Sequence, residues 1–168
     1  MSDRPLSTIR PLSRIGVRDD GHGKGRYRAS RADADGHYAH QGIDLVAATG
    51  DPVVSPVDGV IDISRAYKDA AKSEYKIVSV TSGGQRYRFF YVSPRSHEGT
   101  AFVRDGDRIT AGQQIGIVQN ISKAYPPTER IRSEMRNHVH FAISTETDKN
   151  KKPNYIDPTP QVEEWQRN

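Results

Sequence analysis

The chain has 168 residues, 34% of them hydrophobic and 27% charged, with 14 Gly, 10 Pro and no Cys. That length fits one domain with a substantial core, and the Gly and Pro content favours short strands joined by turns. The absence of Cys excludes disulfides and thiolate chemistry, a formal charge of +4 without a basic tract gives no footprint for nucleic acid, and no apolar run is long enough to span a membrane.

Residues 1–20 read as an N-terminal arm. Their opening, MSDRPLSTIRPLSRIG, has no continuous apolar run of the kind a signal peptide carries, so the expectation is a soluble polypeptide that starts in the cytoplasm. The charged, Gly-rich stretch DDGHGKGRYRASRADADGHY is costly to bury and predicts long surface loops. GIDLVA, residues 42–47, is the first clear strand. ATGDPVVSPVDGVIDIS gives a turn, a short strand, an Asp58-Gly59 turn and another strand, and YKIVSVTSGGQRYRFFYVS gives two strands around Ser82-Gly83-Gly84. Beyond the loop PRSHEGTAF, VRDGDRITAGQQIGIVQN supplies brief apolar pieces between glycine turns. TERIRSEMR, 128–136, predicts one short peripheral helix, NHVHFAIS, 137–144, returns to strand, and DKNKKPNYIDPTPQ reads as turn and coil leading into a C-terminal tail, 159–168. With no βαβ rhythm and no internal repeat, the expected fold is all-β, an antiparallel sandwich or partly open barrel.

Strand periodicity makes NHVHFAIS chemically informative. Residues two apart face the same way, so His138 and His140 share one face while Val139 and Phe141 turn towards apolar packing. Two such rings are either part of a metal site or partly exposed strand residues at a sheet edge. In HQGIDL, His40 and Asp44 stand four apart, an even spacing that keeps them on one strand face with a bend available at Gly42. His40, Asp44 and His140 together offer two nitrogens and one carboxylate oxygen, a set suited to a catalytic Zn2+ with an exchangeable position. The competing reading makes Asp44 a turn acceptor and His40 a loop residue; convergence of two distant segments decides between them.

HQGID and HVHF, with DPVVSPVDGVI and RDGDRITAGQQIG between them, resemble the lysostaphin-type (LytM-like) zinc metalloendopeptidases over residues 36–144. The resemblance implies a β-rich fold with a groove, formed by a single peptidase domain over residues 21–158. It assigns His40, Asp44 and His140 to Zn2+, and matches His138 to the catalytic histidine that acts on the attacking water. The implied activity is zinc-dependent endopeptidase cleavage of bacterial peptidoglycan, at its peptide stems or cross-bridges. Action in a periplasm or cell wall is then open to phage lysis, non-classical secretion or fusion to a leader, and neither nucleic acid nor integral membrane association is expected.

One position departs from that family. Where its members usually carry Tyr-x-His-Leu, this chain has FFYV, so Tyr91 stands in place of the second catalytic histidine. DDGHGKGRY, HQGIDL, FFYVSP and HVHF resemble more closely the leukocyte chemotactic, zinc-binding and non-proteolytic branch of the same fold, whose disulfides have no counterpart here. The alternation Tyr87, Phe89, Tyr91 puts three aromatics on one strand face, so Tyr91 either fills a wall or donates its hydroxyl to a developing oxyanion. A phenol, with a reference pKa of about 10, is no proton acceptor near neutrality. The second function class is therefore a non-catalytic, zinc-containing module that binds peptide, glycan or protein, and a third is a β domain without metal. His22 reads as a loop residue or an extra proton-transfer group, His37 is not an automatic partner of His40, and His97 reads as a surface turn. Lys24, Arg26, Arg28 and Arg31 form either a basic rim or scattered solvated charge, and GHGKGR and DGDRITAGQQIG lack the context of a nucleotide loop.

Overall fold

Alternating apolar residues in Lys76–Ser82, Gln85–Phe90 and His138–Ser144 give each strand one face for a core, and the three lie side by side. They occupy the middle of an antiparallel sheet ordered Arg108–Ile109, Gly59–Arg65, Lys76–Ser82, Gln85–Phe90, His138–Ser144 and Tyr155–Ile156. Ile43–Val46 pairs with the first half of His138–Ser144 along the same edge as Tyr155–Ile156. A second, three-stranded sheet runs Val92–Ser93, Gln114–Val118, Pro52–Val54. The computed structural model describes residues 5–20, 23–33, 36–125, 135–145 and 150–168. The architecture is a mainly β, sandwich-like pair of sheets, not clearly closed into a barrel. The expected helix over 128–136 falls almost wholly outside the described residues.

Val78, Val80, Phe89, Val139 and Phe141 from the large sheet share one fully buried core with Val53, Val92, Ile115 and Val118 of the small one. The turn at Ser82-Gly83-Gly84 forms as the sequence suggests. Ser82 pairs with Gln85, and both intervening glycines take positive φ, 56° and 80°, which a two-residue hairpin matched to strand twist requires.

Two segments fold more than composition suggests. The Gly-rich stretch makes two short ribbons, Asp19–Asp20 with Gly23–Lys24 and Ser30–Asp33 with Gly36–Ala39, rather than open loops. The C-terminal tail carries the α-helix of the described residues, Thr159–Arg167, which buries Val162 and Trp165; the Trp165 ring lies 5.0 Å from that of Phe141. Its Gln161 side chain clasps the N-terminal arm, accepting from Ser7 N at 2.9 Å and donating to Ser7 O at 2.8 Å. The arm continues along Ile43–Val46, with Val46 N donating to Gly16 O at 2.8 Å and Val17 bridging Leu45. Removing a fully buried aromatic leaves a cavity as well as lost transfer energy. Trp165→Ala is therefore expected to destabilise the fold by about 3–5 kcal/mol, read from urea unfolding; a loss below about 1 kcal/mol would contradict its place in the core.

Candidate metal centre

Register brings the chemistry together. His140 lies directly opposite Asp44 on one side and Phe90 on the other, and directly paired residues share a sheet face. His40 comes from the segment between Gly36–Ala39 and Ile43–Val46, held by His40 N donating to Ala29 O at 2.9 Å and Arg28 N donating to His40 O at 2.8 Å. The chain bends at Gly42, where close approach leaves no room for a side chain. A Cβ there would press on the Phe141 carbonyl oxygen and lie 2.7 Å from His140 Nε2. Gly42→Ala is accordingly expected to weaken metal binding and lower the melting temperature together, measured by chelator competition and calorimetry.

His40 Nε2, His140 Nδ1 and Asp44 Oδ1 form a small triangle with sides of 2.9, 2.9 and 3.1 Å. These residues are the metal-capable cluster found among the described residues. Tetrahedral zinc with ligand bonds of about 2.0–2.1 Å spaces its ligands about 3.3–3.4 Å apart, so the triangle is close to that size and slightly tight. Its chemistry fits equally well. His40 Nδ1 lies 3.0 Å from the Arg26 carbonyl oxygen, which only accepts, so Nδ1 keeps a proton and Nε2 is the atom that a metal would take. Asp44 Oδ1 faces the same point, and a buried carboxylate oxygen between two ring nitrogens is a donor set that suits a cation.

Asp44 is 3% exposed. Burial by itself would raise its carboxyl pKa, but hydrogen bonds from His140 and His40 and the charges of His138 and His140 hold it well below the usual carboxylate range. Its Oδ2 accepts from Arg18 Nε at 3.1 Å. His138 stands beside the triangle, its Nε2 3.7 Å from Asp44 Oδ2. Its Nδ1 donates to the Arg136 carbonyl at 2.8 Å, which leaves Nε2 as the basic atom. Burial lowers the His138 pKa, against the opposing pull of Asp44, so the ring is neutral at pH 7. The cluster opens into a cleft of about 480 Å3, whose walls include Tyr38, Phe90, Tyr91, Tyr125 and Tyr155.

The sequence profile of Peptidase family M23 matches residues 38–158, well over half of the chain and both ligand segments. The chain belongs to Peptidase family M23. The M23 match and the His/Asp/His cluster together make it a zinc metallopeptidase by family and by ligand chemistry. Leukocyte cell-derived chemotaxin-2 of Bos taurus is 27% identical over 123 residues, which are 73% of this chain and 68% of that protein. The catalytic domain of the antimicrobial peptidase lysostaphin from Staphylococcus simulans has the same fold, with a TM-score of 0.53 at 21% identity over 86% of this chain and 92% of that one. A mutant catalytic domain of the prophage-encoded M23 protein EnpA from Enterococcus faecalis also gives 0.53, at 18% identity over 90% and 95%.

Within this M23 fold, Tyr91 does not continue the alternation of Tyr87 and Phe89. Those two are buried in the core, whereas Tyr91 takes φ 70° where the chain leaves Gln85–Phe90 for the second sheet. A non-glycine residue in that conformation costs about 1–2 kcal/mol. Tyr91 N donating to Lys76 O at 2.8 Å and Gln119 N donating to Tyr91 O at 2.9 Å hold it there. The ring consequently joins Tyr67 and Tyr75 and meets His138 edge-on at 5.8 Å between centroids. Burial, and then the neighbouring tyrosines, raise its pKa well above 10, so it is a donor and no base.

The remaining sequence candidates are dispersed. His22 and the side chain of His37 lie outside the described residues. His97 lines a separate cleft of about 310 Å3. Lys24 pairs with Asp19 at 2.5 Å, Arg26 is exposed, exposed Arg28 covers the Tyr27 ring, and the Arg31 side chain is outside the described residues. Sequence reasoning missed Arg18, whose only signal was an arginine flanked by Val17 and two aspartates.

Proposed function

We propose that this protein is a zinc-dependent endopeptidase that hydrolyses peptide bonds in the stems or cross-bridges of bacterial peptidoglycan. The observation that carries the reading is the meeting of His40, Asp44 and His140 at one point, with a neutral His138 alongside at the mouth of a cleft. Similarity to an antimicrobial peptidase and to a prophage-encoded M23 protein supports the substrate. The catalytic unit is residues 21–158, and its place of action is a periplasm or cell wall. Among the described residues no helix is long and apolar enough to cross a membrane.

His40, Asp44 and His140 would hold the metal through Nε2, Oδ1 and Nδ1. Zinc supplies Lewis acidity there, polarising a carbonyl and acidifying water. His138 Nε2 takes the proton of the attacking water and returns it to the leaving amine, a role for which its neutral state and fixed tautomer suit it. The Tyr91 hydroxyl donates to the carbonyl oxygen as charge develops on it. Removing such a donor costs about 10²–10³ in turnover, so Tyr91→Phe is expected to lower kcat by that factor with KM little changed. Rates within twofold of wild type would leave Tyr91 as wall only.

Defined stem and cross-bridge peptides, incubated with zinc-loaded protein and followed by mass spectrometry, test the whole reading through the appearance of new amino termini. Tyr91 in the second histidine position favours one other reading, a zinc-organised module that binds wall peptide or glycan without cutting it. Fragment binding by NMR without new termini would select that reading, and Tyr91→His would then be the variant to gain hydrolysis.

A further inference from the structure

Arg18 is 3% exposed, and nothing so far explains a buried guanidinium beside a site for a divalent cation. Its fork joins two carboxylates. On one side Nε donates to Asp44 Oδ2 at 3.1 Å, and on the other a terminal nitrogen meets Asp20 Oδ1 at 2.9 Å. Asp20 Oδ2 accepts from Arg136 N at 2.8 Å, and the carbonyl of that same Arg136 accepts from His138 Nδ1 at 2.8 Å. A continuous path therefore runs from the metal-facing carboxylate through Arg18, Asp20 and residue 136 to the ring of His138. The backbone is tied in the same place, with Arg18 N donating to Asp44 O at 2.8 Å and Gly25 N donating to Arg18 O at 2.6 Å.

We infer that Arg18 is a positioning residue that sets the Asp44 carboxylate and the His138 ring together, so that ligand and base are oriented by one group on the arm. This rests on the zinc reading of the preceding section and extends it. Two effects oppose each other. A fixed positive charge near the site disfavours a cation, whereas holding Oδ2 turns Oδ1 alone towards His40 and His140 and removes the freedom to rotate. Asp20 offsets the charge, since Arg18 faces two carboxylates, so the orienting effect dominates. Lysine cannot replace it fully, because a point charge lacks the planar fork that reaches both partners.

The test measures zinc affinity by competition with a chromophoric chelator, apo-protein unfolding, and the His138 Nδ1–H signal in imidazole ¹H–¹⁵N spectra. Arg18→Gln is expected to lose about 10–100-fold in zinc affinity, the usual cost of losing a group that orients a ligand. Arg18→Lys recovers part of that affinity but not the slowly exchanging His138 signal. Asp20→Ala leaves Arg18 on Asp44, so it lowers zinc affinity less than Arg18→Gln does, through the charge no longer offset, and it loses the His138 signal, because it cuts the path beyond Arg18. Wild-type or tighter zinc binding in Arg18→Gln overturns the inference alone, as does an affinity loss in both Arg18 variants that merely tracks apo stability. Where Arg18→Gln does not fold, Arg18→Lys and Asp20→Ala decide by the same signals. No zinc uptake by the wild type overturns this inference and the zinc reading beneath it.

Discussion

His140→Ala is expected to abolish high-affinity zinc uptake, from about one equivalent to none, while the protein stays folded. The alanine removes the corner of the triangle that touches both others, at 2.9 Å from His40 Nε2 and 2.9 Å from Asp44 Oδ1. What remains is one nitrogen and one carboxylate oxygen, which hold zinc poorly against water. The loss should exceed the 10–100-fold typical of groups lying behind a ligand. The fold should survive, since Val139, Phe141 and Ile143 carry that strand's core packing and His140 faces the cleft. Metal analysis after purification without nickel chromatography measures the stoichiometry; unchanged zinc in His140→Ala would remove the residue from the ligand set. Acid acts on the same atoms. Burial would raise the Asp44 carboxyl, but hydrogen bonds from His140 and His40 keep it ionised well below the ordinary range. Because ligands must be deprotonated to hold the metal, zinc affinity is expected to fall as pH falls, read from chelator competition across a pH series.

His138→Ala separates chemistry from binding. His40, Asp44 and His140 are untouched, so zinc should stay near one equivalent while turnover falls about 10²–10⁴-fold, the range expected for losing a positioned acid–base group. Burial, opposed by Asp44, lowers the His138 pKa, so the ring is deprotonated at neutrality and stays so to a lower pH than a free imidazole. At saturating zinc, the acid limb of kcat for the wild type should therefore lie below about pH 6.5 and be absent from the residual activity of His138→Ala. Turnover unchanged in that variant would sink the assigned base.

Much of the site was visible in local spacing because strands have period 2. HxH fixed a shared face for His138 and His140, and the structure places both on the face opposite Val139 and Phe141. HxxxD with Gly42 between its ends also carried its bend. What spacing cannot supply is register, and only the pairing of His140 with Asp44 brings the two segments into contact. Tyr91 was misplaced for a related reason. Alternation holds only within a strand, and the positive φ at residue 91 ends it where the chain changes sheets. Arg18 was out of sight because its role depends on an arm lying beside Ile43–Val46, which its own sequence does not signal. The C-terminal helix was the most recoverable omission. TPQVEEWQR has Pro in its first turn and Val162 and Trp165 three apart, a pattern that Asp157-Pro158 before it and Thr159-Pro160 at its start obscured.

The proposed endopeptidase must hold zinc at this site and cut wall peptides with it. Purified peptidoglycan digested by the protein freed of metal, and then by the same sample restored with one equivalent of zinc, tests it most directly. No soluble fragments are expected before restoration, and afterwards fragments whose new amino termini, assigned by mass spectrometry, come from peptide bonds and fail to form with His138→Ala. Full zinc occupancy with intact peptidoglycan and no new termini would contradict it.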